Sequence, residues 1–306
     1  MKVAGVRIFS MPCLPAGRWK IPRACTSARK PPSTFIVTRL VVILFIDVSY
    51  FMITIKTKED IAILREGGRR HAEILRELAK MVKPGVRSSE LEDAARKMIT
   101  EGGDEPALLN YMPYGAKRPY PAALCVSVND EIVHGIPNET DKILKEGDIV
   151  GLDLGLTHRG LITDATLTVA VGNVSSEVQE LLEVTKKALA AGVKAAKGGK
   201  RIGDIGNAIA RVAASKGYGV VEELAGHGVG YDVHEEPYVL NFGTAGSGPI
   251  LKPGMVLAIE PMFNLGSKKI KLDKDGYTYR TADGSYSAHF EHTVVITKGG
   301  AEILTI

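Results

Sequence analysis

One order of secondary-structure elements occurs twice along the chain, and this repetition constrains the fold more than any single motif does. Within residues 57–171 the sequence predicts two amphipathic helices followed by strands, and the same order returns within residues 176–300. Such a repeat predicts a duplicated α+β unit, in which each helix pair buries its apolar stripe against a sheet. The sequence identity between the halves is low, so the duplication rests on element order.

Start and stop signals bound the predicted helices. Thr57-Lys-Glu-Asp60 is typical of a capping box, and Lys83-Pro84-Gly85 ends the apolar run that follows it. Ser89-Glu-Leu-Glu92 predicts the cap of a second helix, which ends at Gly102-Gly103. Later helices are predicted at 176–196 and 202–216, and strands at 123–129, 148–154, 166–171, 219–224, 255–260, 277–281, 286–289 and 291–297. No linker divides residues 52–306, so we predict one domain there.

Residues 1–51 differ in charge from the rest of the chain. They hold eight Lys/Arg against the single acid Asp47, a net charge of +7. Because the whole chain carries +4, residues 52–306 carry about −3 by difference. The basic character therefore belongs to the N-terminal segment, and it gives no support for nucleic-acid binding by the remainder.

Three explanations fit this N-terminal segment. Basic residues before the apolar run 35–51 resemble a signal anchor, although Arg39 and Asp47 interrupt the run and a spanning helix needs about 20 apolar residues. A basic segment also fits an organelle transit peptide. The third explanation is a mis-assigned start, because Met52 opens a natural-looking N-terminus, Met-Ile-Thr-Ile-Lys-Thr. We expect residues 1–51 to be a poorly ordered extension or no part of the natural protein.

Cysteine usage indicates a reducing compartment. Cys13 and Cys25 lie in the N-terminal segment, which leaves Cys125 alone in residues 52–306. A lone thiol cannot form an internal disulfide. We therefore expect a cytoplasmic protein that needs no membrane, with organelle targeting or anchoring by residues 1–51 as the alternatives.

Four carboxylates and one imidazole on or beside predicted strands are candidate metal ligands. Each has an ordinary explanation when it is taken alone, such as a turn former, a cap or a loop residue. The positions of Glu260 and Glu291 do not fit such an ordinary explanation. Apolar strands adjoin both residues, and a buried carboxylate is costly unless it is paired or bound to metal. The five candidates are Asp153, Asp164, His227, Glu260 and Glu291.

Together these side chains form an oxygen-rich set suited to Mn(II), Fe(II), Co(II) or Zn(II), unlike the Cys/His sets of structural zinc sites. Four carboxylates carry −4, which two divalent ions neutralise; without metal they would repel one another and hold protons. Two ions about 3.5–4 Å apart can share a hydroxide and polarise a carbonyl. The sequence therefore predicts a site for two divalent ions.

The order of these motifs resembles the methionine aminopeptidase family over about residues 52–306. Gly226-His-Gly-Val-Gly230 is followed by His234-Glu-Glu-Pro237, and the segment 128–137 is similar to the family's segment around a catalytic histidine. The lack of a large insert before Glu260 resembles the bacterial-type (type I) branch. The resemblance implies the pita-bread fold, with two pseudo-symmetric halves of helices packed on a curved antiparallel sheet. It also implies removal of the initiator methionine from nascent proteins whose second residue is small.

The resemblance implies roles for the five candidate ligands. Asp153 is expected to chelate one metal, Asp164 and Glu291 to bridge the pair, and His227 and Glu260 to complete the other metal site. Glu260 is also expected to act as general base towards the attacking water.

The resemblance assigns two histidines to catalysis. His134 is expected to contact the scissile amide, and His234 to stabilise the carbonyl oxygen as it becomes an oxyanion. His289 lies two residues before Glu291 and is expected to face the site, whereas His292 is expected to face away and has no assigned role.

The methionine pocket should be apolar and sized for an unbranched thioether. Val233 stands where bacterial relatives carry a bulky aromatic residue, Tyr277 stands where many carry Trp, and the stretch 111–121 is a few residues longer than usual. Cys125 is explained equally well as a core cysteine. The resemblance implies a wall formed by Cys125, Tyr277, Val233 and one of Tyr111, Tyr114 or Tyr120.

Two other functions compete. A prolidase or Xaa-Pro aminopeptidase shares the five ligands but usually has a large N-terminal domain, and only about a hundred residues separate Met52 from Asp153. A non-catalytic binding protein on this fold typically lacks ligands that this chain keeps. The partners implied are nascent polypeptide N-termini and a transient ribosome association, for a monomeric enzyme.

Overall fold

The structure is a computed structural model that describes residues 53–113 and 115–306. The predictions made for residues 1–51 and for Tyr114 lie outside the described residues. Within the described ranges, no helix combines the length and the apolar character needed to cross a membrane.

Five helices and fifteen strands make up the described part of the chain, in the predicted order of helix pair, strands, helix pair, strands. The helices are α1 (Lys58–Met81), α2 (Ser88–Glu101), α3 (Pro137–Thr140), α4 (Ser176–Ala195) and α5 (Ile202–Ala214). The strands are β1 (Glu105–Pro106), β2 (Leu124–Val128), β3 (Glu131–Val133), β4 (Ile149–His158), β5 (Leu161–Ala170), β6 (Gly219–Val220), β7 (Ala225–Gly228), β8 (Glu235–Leu240), β9 (Val256–Ile259), β10 (Met262–Asn264), β11 (Ile270–Leu272), β12 (Tyr279–Thr281), β13 (Ser287–His289), β14 (His292–Ile296) and β15 (Ala301–Ile303).

The first half packs α1 and α2 on an antiparallel sheet in which β4 pairs with β1, β2 and β5. Leu78 of α1 and Leu91 of α2 meet Leu124 and Leu152 of the sheet in one apolar cluster. None of these four side chains is exposed, and each contributes about 2 kcal/mol of burial free energy. This packing fixes β4 and β5, which carry two of the predicted ligands.

The second half repeats the arrangement with α4 and α5 on a sheet of order β15-β14-β9-β7-β8. Leu181 of α4 and Ile205 of α5 share an apolar cluster with Leu257 of β9 and Val294 of β14. Two small three-stranded sheets, β13-β10-β6 and β11-β12-β3, complete the strand pairing, and the second joins the halves through β3 and β12. The predicted α+β architecture of two helix-and-sheet halves is confirmed.

The capping box predicted for α1 is confirmed. The Asp60 N–H donates to Thr57 Oγ1 at 3.1 Å, and the Thr57 N–H donates to Asp60 Oδ2 at 2.9 Å. The helix ends at Met81, just before the stop signal Lys83-Pro84-Gly85.

The cap predicted at Ser89 is wrong. Helix α2 already includes Ser88, and its N-cap is Arg87, which makes no side-chain cap hydrogen bond. The carboxylate of Glu92 is not free for a capping box, because it accepts a hydrogen bond from the Leu124 N–H at 2.8 Å. Glu92 thus joins the helix to the sheet, a long-range use that local sequence cannot reveal.

Short strands in the second half were the hardest to predict. The strand predicted at 219–224 covers only β6, Gly219–Val220. Strand β8 (Glu235–Leu240) has no prediction, because Pro237 argues against a strand. The β4–β5 hairpin is longer than predicted, with its turn at Arg159-Gly160.

Candidate metal centre and active site

The five predicted ligands converge on one cavity from both halves of the protein. Asp153 on β4 and Asp164 on β5 come from the first half. His227 on β7, Glu260 directly after β9 and Glu291 directly before β14 come from the second half. All five line the cavity, and all except the partly buried Asp153 are buried.

The distances between these side chains suit a shared cation. Asp164, His227 and Glu291 each offer a ligand atom, and these atoms lie within 4.8 Å of one another. His227 Nε2 lies 3.6 Å from Glu260 Oε1 and 3.9 Å from Asp164 Oδ2. Asp164 Oδ1 and Glu291 Oε1 are buried without a hydrogen-bond partner. Because an unpartnered buried carboxylate oxygen is costly, this donor set fits a divalent metal ion.

Burial raises the pKa of the clustered carboxyl groups. Burial, followed by repulsion from Asp153, holds the pKa of Asp164 well above its ordinary value. Burial, followed by repulsion from Asp164, does the same to the pKa of Glu291. Burial raises the pKa of Glu260 to about 8 and raises that of Asp153 as well. Without metal the cluster therefore holds protons at neutral pH, as the sequence predicts.

Two threonines fix the backbone of the central carboxylates across the two halves. Thr293 Oγ1 accepts from the Asp164 N–H at 2.8 Å and donates to the Asp164 carbonyl at 2.7 Å. Thr166 Oγ1 donates to Glu291 Oε2 at 2.8 Å, and the Glu291 N–H donates to the Thr166 carbonyl at 2.9 Å. Neither threonine was predicted from the sequence to support the site. Each stands two residues after a predicted ligand, a strand spacing that could have identified them.

The two histidines predicted to act in catalysis border the same cavity. His134 has a left-handed backbone, with φ of 60°, an uncommon conformation for a residue other than glycine. The His234 ring stands edge-on to that of His227, with centroids 4.4 Å apart. Burial lowers the pKa of His134 to about 4 and holds that of His234 well below its ordinary value. Both rings are neutral at pH 7, so each can donate one N–H.

Tyr111 contacts His234 directly. Its hydroxyl lies 2.8 Å from His234 Nδ1, and the two ring centroids are 5.4 Å apart. Tyr111 is one of the three tyrosines predicted as candidates for the pocket wall. Its contact with His234 was not predicted. Because the stretch 111–121 is longer than usual, its tyrosines could not be matched to family positions from the sequence.

The cavity has a volume of about 370 Å³, and four tyrosines contribute to its wall. Tyr120 and Tyr277 line it and pack edge-on with centroids 5.2 Å apart, and Cys125 lies beside them in the same apolar cluster. Tyr111 lines the cavity too. Val233 is buried but is not among the lining residues.

His289 and His292, the two histidines near Glu291, lie where the strand alternation predicts. His289 lines the cavity, with Nε2 3.4 Å from Glu260 Oε2. His292 is not among the lining residues, and its Nδ1 lies 3.0 Å from Thr305 Oγ1.

Comparison with known proteins places this site in a family. Residues 62–298 match the model of metallopeptidase family M24. The chain belongs to family M24. Membership implies a divalent metal at the centre described above.

The relatives of this M24 peptidase are methionine aminopeptidases. The methionine aminopeptidase of Aquifex aeolicus (strain VF5) is 45% identical over 83% of this chain and 98% of its own length. Methionine aminopeptidase 1 of Bacillus subtilis (strain 168) is 43% identical over 83% of this chain and 99% of its own. The solved methionine aminopeptidase from Thermotoga maritima has a TM-score of 0.79 at 41% identity, covering 83% of this chain and 99% of that one. The predicted resemblance and the pita-bread fold are confirmed.

Prolidases are more distant from this M24 peptidase. The prolidase from Pyrococcus furiosus has a TM-score of 0.66 at 25% identity, covering 85% of this chain but 67% of that one. The match therefore leaves 33% of the prolidase chain unmatched. The comparison therefore favours methionine aminopeptidase over the prolidase alternative.

Proposed function

We propose that this protein removes the N-terminal methionine from polypeptides whose second residue is small. The observation that carries the proposal is the convergence of metal ligands and neutral histidines in a cavity with an aromatic wall. The similarity to methionine aminopeptidases over nearly their whole length supports the same substrate. Nascent polypeptide N-termini are then the natural partners.

The proposal includes a site for two divalent ions of Co, Mn, Fe or Zn. Asp153, Asp164, His227, Glu260 and Glu291 would hold them. Asp164 Oδ1 and Glu291 Oε1 are buried without a hydrogen-bond partner, which supports metal binding by these two carboxylates. When bound, the ions supply positive charge that acidifies water and polarises the scissile carbonyl.

Three side chains carry the proposed proton transfers and charge stabilisation. Glu260 accepts the proton of the attacking water and returns it to the leaving amine. His234 donates an N–H to the carbonyl oxygen as negative charge develops there, and His134 contacts the scissile amide. The neutrality of both histidines supports these roles, because a neutral imidazole donates without adding a charge to the buried cavity.

The pocket supports methionine as the terminal residue. Tyr277, Tyr120 and Cys125 present aromatic and thiol surfaces that suit a flexible thioether. A small second residue is expected, because a larger side chain would crowd the metal centre. Val233 remains proposed only for the pocket rim, behind the residues that line the cavity.

The assembly of the protein in the cell is proposed from the nature of the substrate. We propose a monomer in the cytoplasm that meets nascent chains by transient association with the ribosome. Residues 52–306, with a net charge of about −3, are proposed to form the catalytic domain on their own.

The test uses metal-stripped protein with Mn(II) or Co(II) added back. We expect release of free methionine from Met-Ala-Ser and no cleavage of Ala-Pro-Ser. The Glu260→Ala variant should lose about 10²–10⁴-fold in kcat, because general acid–base catalysis is removed. Cleavage before proline would move the protein to the prolidase-like peptidases. Inactivity of the folded, metal-loaded protein on both peptides would favour a non-catalytic binding protein.

A further inference from the structure

We propose that Lys56 is a positioning residue for His234 and acts through Glu235. The inference rests on the proposed catalytic role of His234. Lys56 does not line the cavity, so it does not touch the substrate. Its effect would pass through the loop that carries the histidine.

The burial of Lys56 demands an explanation. It is 4% exposed and is the single buried lysine or arginine among residues 53–113 and 115–306. Burial lowers its pKa, although hydrogen bonding to Glu235 opposes that shift. A buried ammonium group is costly unless it is paired and hydrogen-bonded, and the loss of one partner of such a pair leaves the other charge uncompensated.

Lys56 and Thr54 hold one oxygen of Glu235. The ammonium group of Lys56 and the hydroxyl of Thr54 both donate to Glu235 Oε2 in short contacts. The Lys56 N–H donates to the Gly254 carbonyl at 2.8 Å, which ties this segment to the sheet ahead of β9. The ammonium group also lies 4.4 Å from the ring centroid of Tyr231.

The other oxygen of Glu235 organises the loop 230–235. Glu235 Oε1 accepts from the backbone N–H of Tyr231 at 2.6 Å and of Asp232 at 3.2 Å. One carboxylate therefore links the beginning of the loop to its end. The Ile162 N–H donates to the Gly230 carbonyl at 2.7 Å, which anchors the loop beside β5.

His234 precedes Glu235 directly, so the held carboxylate defines the path of its backbone. The His234 ring must keep its contacts with His227 and Tyr111 while its N–H meets the substrate. Catalytic groups need positioning to within about 0.5 Å. Release of Glu235 by loss of Lys56 would let the loop relax and would displace the imidazole.

The test compares Lys56→Met with wild type in the full-length, Mn(II)-loaded protein on Met-Ala-Ser. We expect kcat to fall by about tenfold to a hundredfold with little change in KM, because misplacement acts on the transition state. Lys56→Arg should recover part of the loss. Thr54→Val, a milder change that removes one donor to Glu235, should show a smaller fall in kcat.

A double-mutant cycle separates positioning from general destabilisation. In a His234→Ala background, Lys56→Met should cost no further kcat, because the residue through which it acts is absent. The matched control is Arg70→Met, which removes a cation 3.4 Å from the buried carboxylate of Asp104 outside the cavity. It should leave kcat unchanged.

Three results would overturn the inference: an equal loss in the His234→Ala background, an equal loss in the control, or unchanged kcat in Lys56→Met. These leave the proposed activity intact. Wild-type kcat in His234→Ala itself would instead remove the proposed role of the histidine, and with it the inference.

Discussion

At the scale of single residues, the direction of the hydrogen bond between Tyr111 and His234 is linked to which ring nitrogen carries the proton. A neutral imidazole has one N–H and one acceptor nitrogen. If the tyrosine hydroxyl donates to Nδ1, the proton of the ring lies on Nε2, which can then donate to the substrate. The hydroxyl lies 2.8 Å from Nδ1, and burial lowers the pKa of His234 so that the ring is neutral, which makes this arrangement available.

Tyr111→Phe should therefore lower kcat more than it raises KM. The phenyl ring keeps the apolar wall of the cavity, while the loss of one hydrogen bond of about 1 kcal/mol reduces the rate by roughly fivefold. Steady-state kinetics on Met-Ala-Ser measure the effect. The control is Tyr238→Phe, because Tyr238 is half-exposed and does not line the cavity. A change confined to KM would contradict the tautomer role and leave Tyr111 as a pocket residue alone.

At the scale of elements, the contact between β5 and β14 sets the separation of Asp164 and Glu291. No β-ladder joins these two strands, but the Glu291 N–H donates to the Thr166 carbonyl at 2.9 Å and two threonine side chains add further hydrogen bonds. The Thr293 hydroxyl bonds both backbone groups of Asp164, and Thr166 bonds the carboxylate of Glu291.

Thr293→Val should weaken metal binding and lower the free energy of unfolding. The valine leaves the N–H and carbonyl of Asp164 without this partner, at about 1–3 kcal/mol for each buried group. Titration calorimetry with Mn(II) and thermal unfolding measure the two effects. Thr293→Ser keeps the hydroxyl and should retain most of the affinity for Mn(II) and most of the free energy of unfolding. A valine variant with wild-type affinity and stability would show that the hydroxyl is dispensable.

The elements also show what sequence can predict here. The capping box at Thr57 and the positions of the candidate ligands on or beside strands were predictable, because their signals are local. The use of Glu92 and the partner of His234 were not, because they depend on residues distant in the chain. Strand β8 was missed because Pro237 counts against a strand when its neighbours are unknown.

At the scale of the whole molecule, the metal centre links stability to pH. In the unfolded chain the clustered carboxyl groups ionise near their ordinary pKa of about 4. The folded, metal-free protein holds their protons to higher pH, because burial raises the pKa of Asp164 and Glu291 and brings that of Glu260 to about 8. Above about pH 6.5 the folded state therefore binds more protons than the unfolded chain, so its stability falls as pH rises. The buried histidines, whose pKa values are lowered, act in the opposite direction only below that pH.

The thermal midpoint of the protein in chelator should therefore drop from pH 7 to pH 8, above the range in which the buried histidines change their protonation. Each retained proton costs about 1.4 kcal/mol of stability per pH unit. Added Mn(II) should reverse the trend, because metal binding displaces these protons and strengthens as pH rises. Glu260→Gln should flatten the slope measured in chelator. A midpoint that rises with pH in chelator would contradict the raised pKa values.

Each half has its own main apolar core, smaller apolar clusters join the halves, and the candidate ligands come from both. A break in the chain between β5 and α4 would therefore yield two pieces that each keep a helix pair and a sheet, while neither keeps the full ligand set. In engineering terms, such a pair of fragments is the starting point for a sensor of divalent ions, whose signal is the reassembly of the halves around the ion.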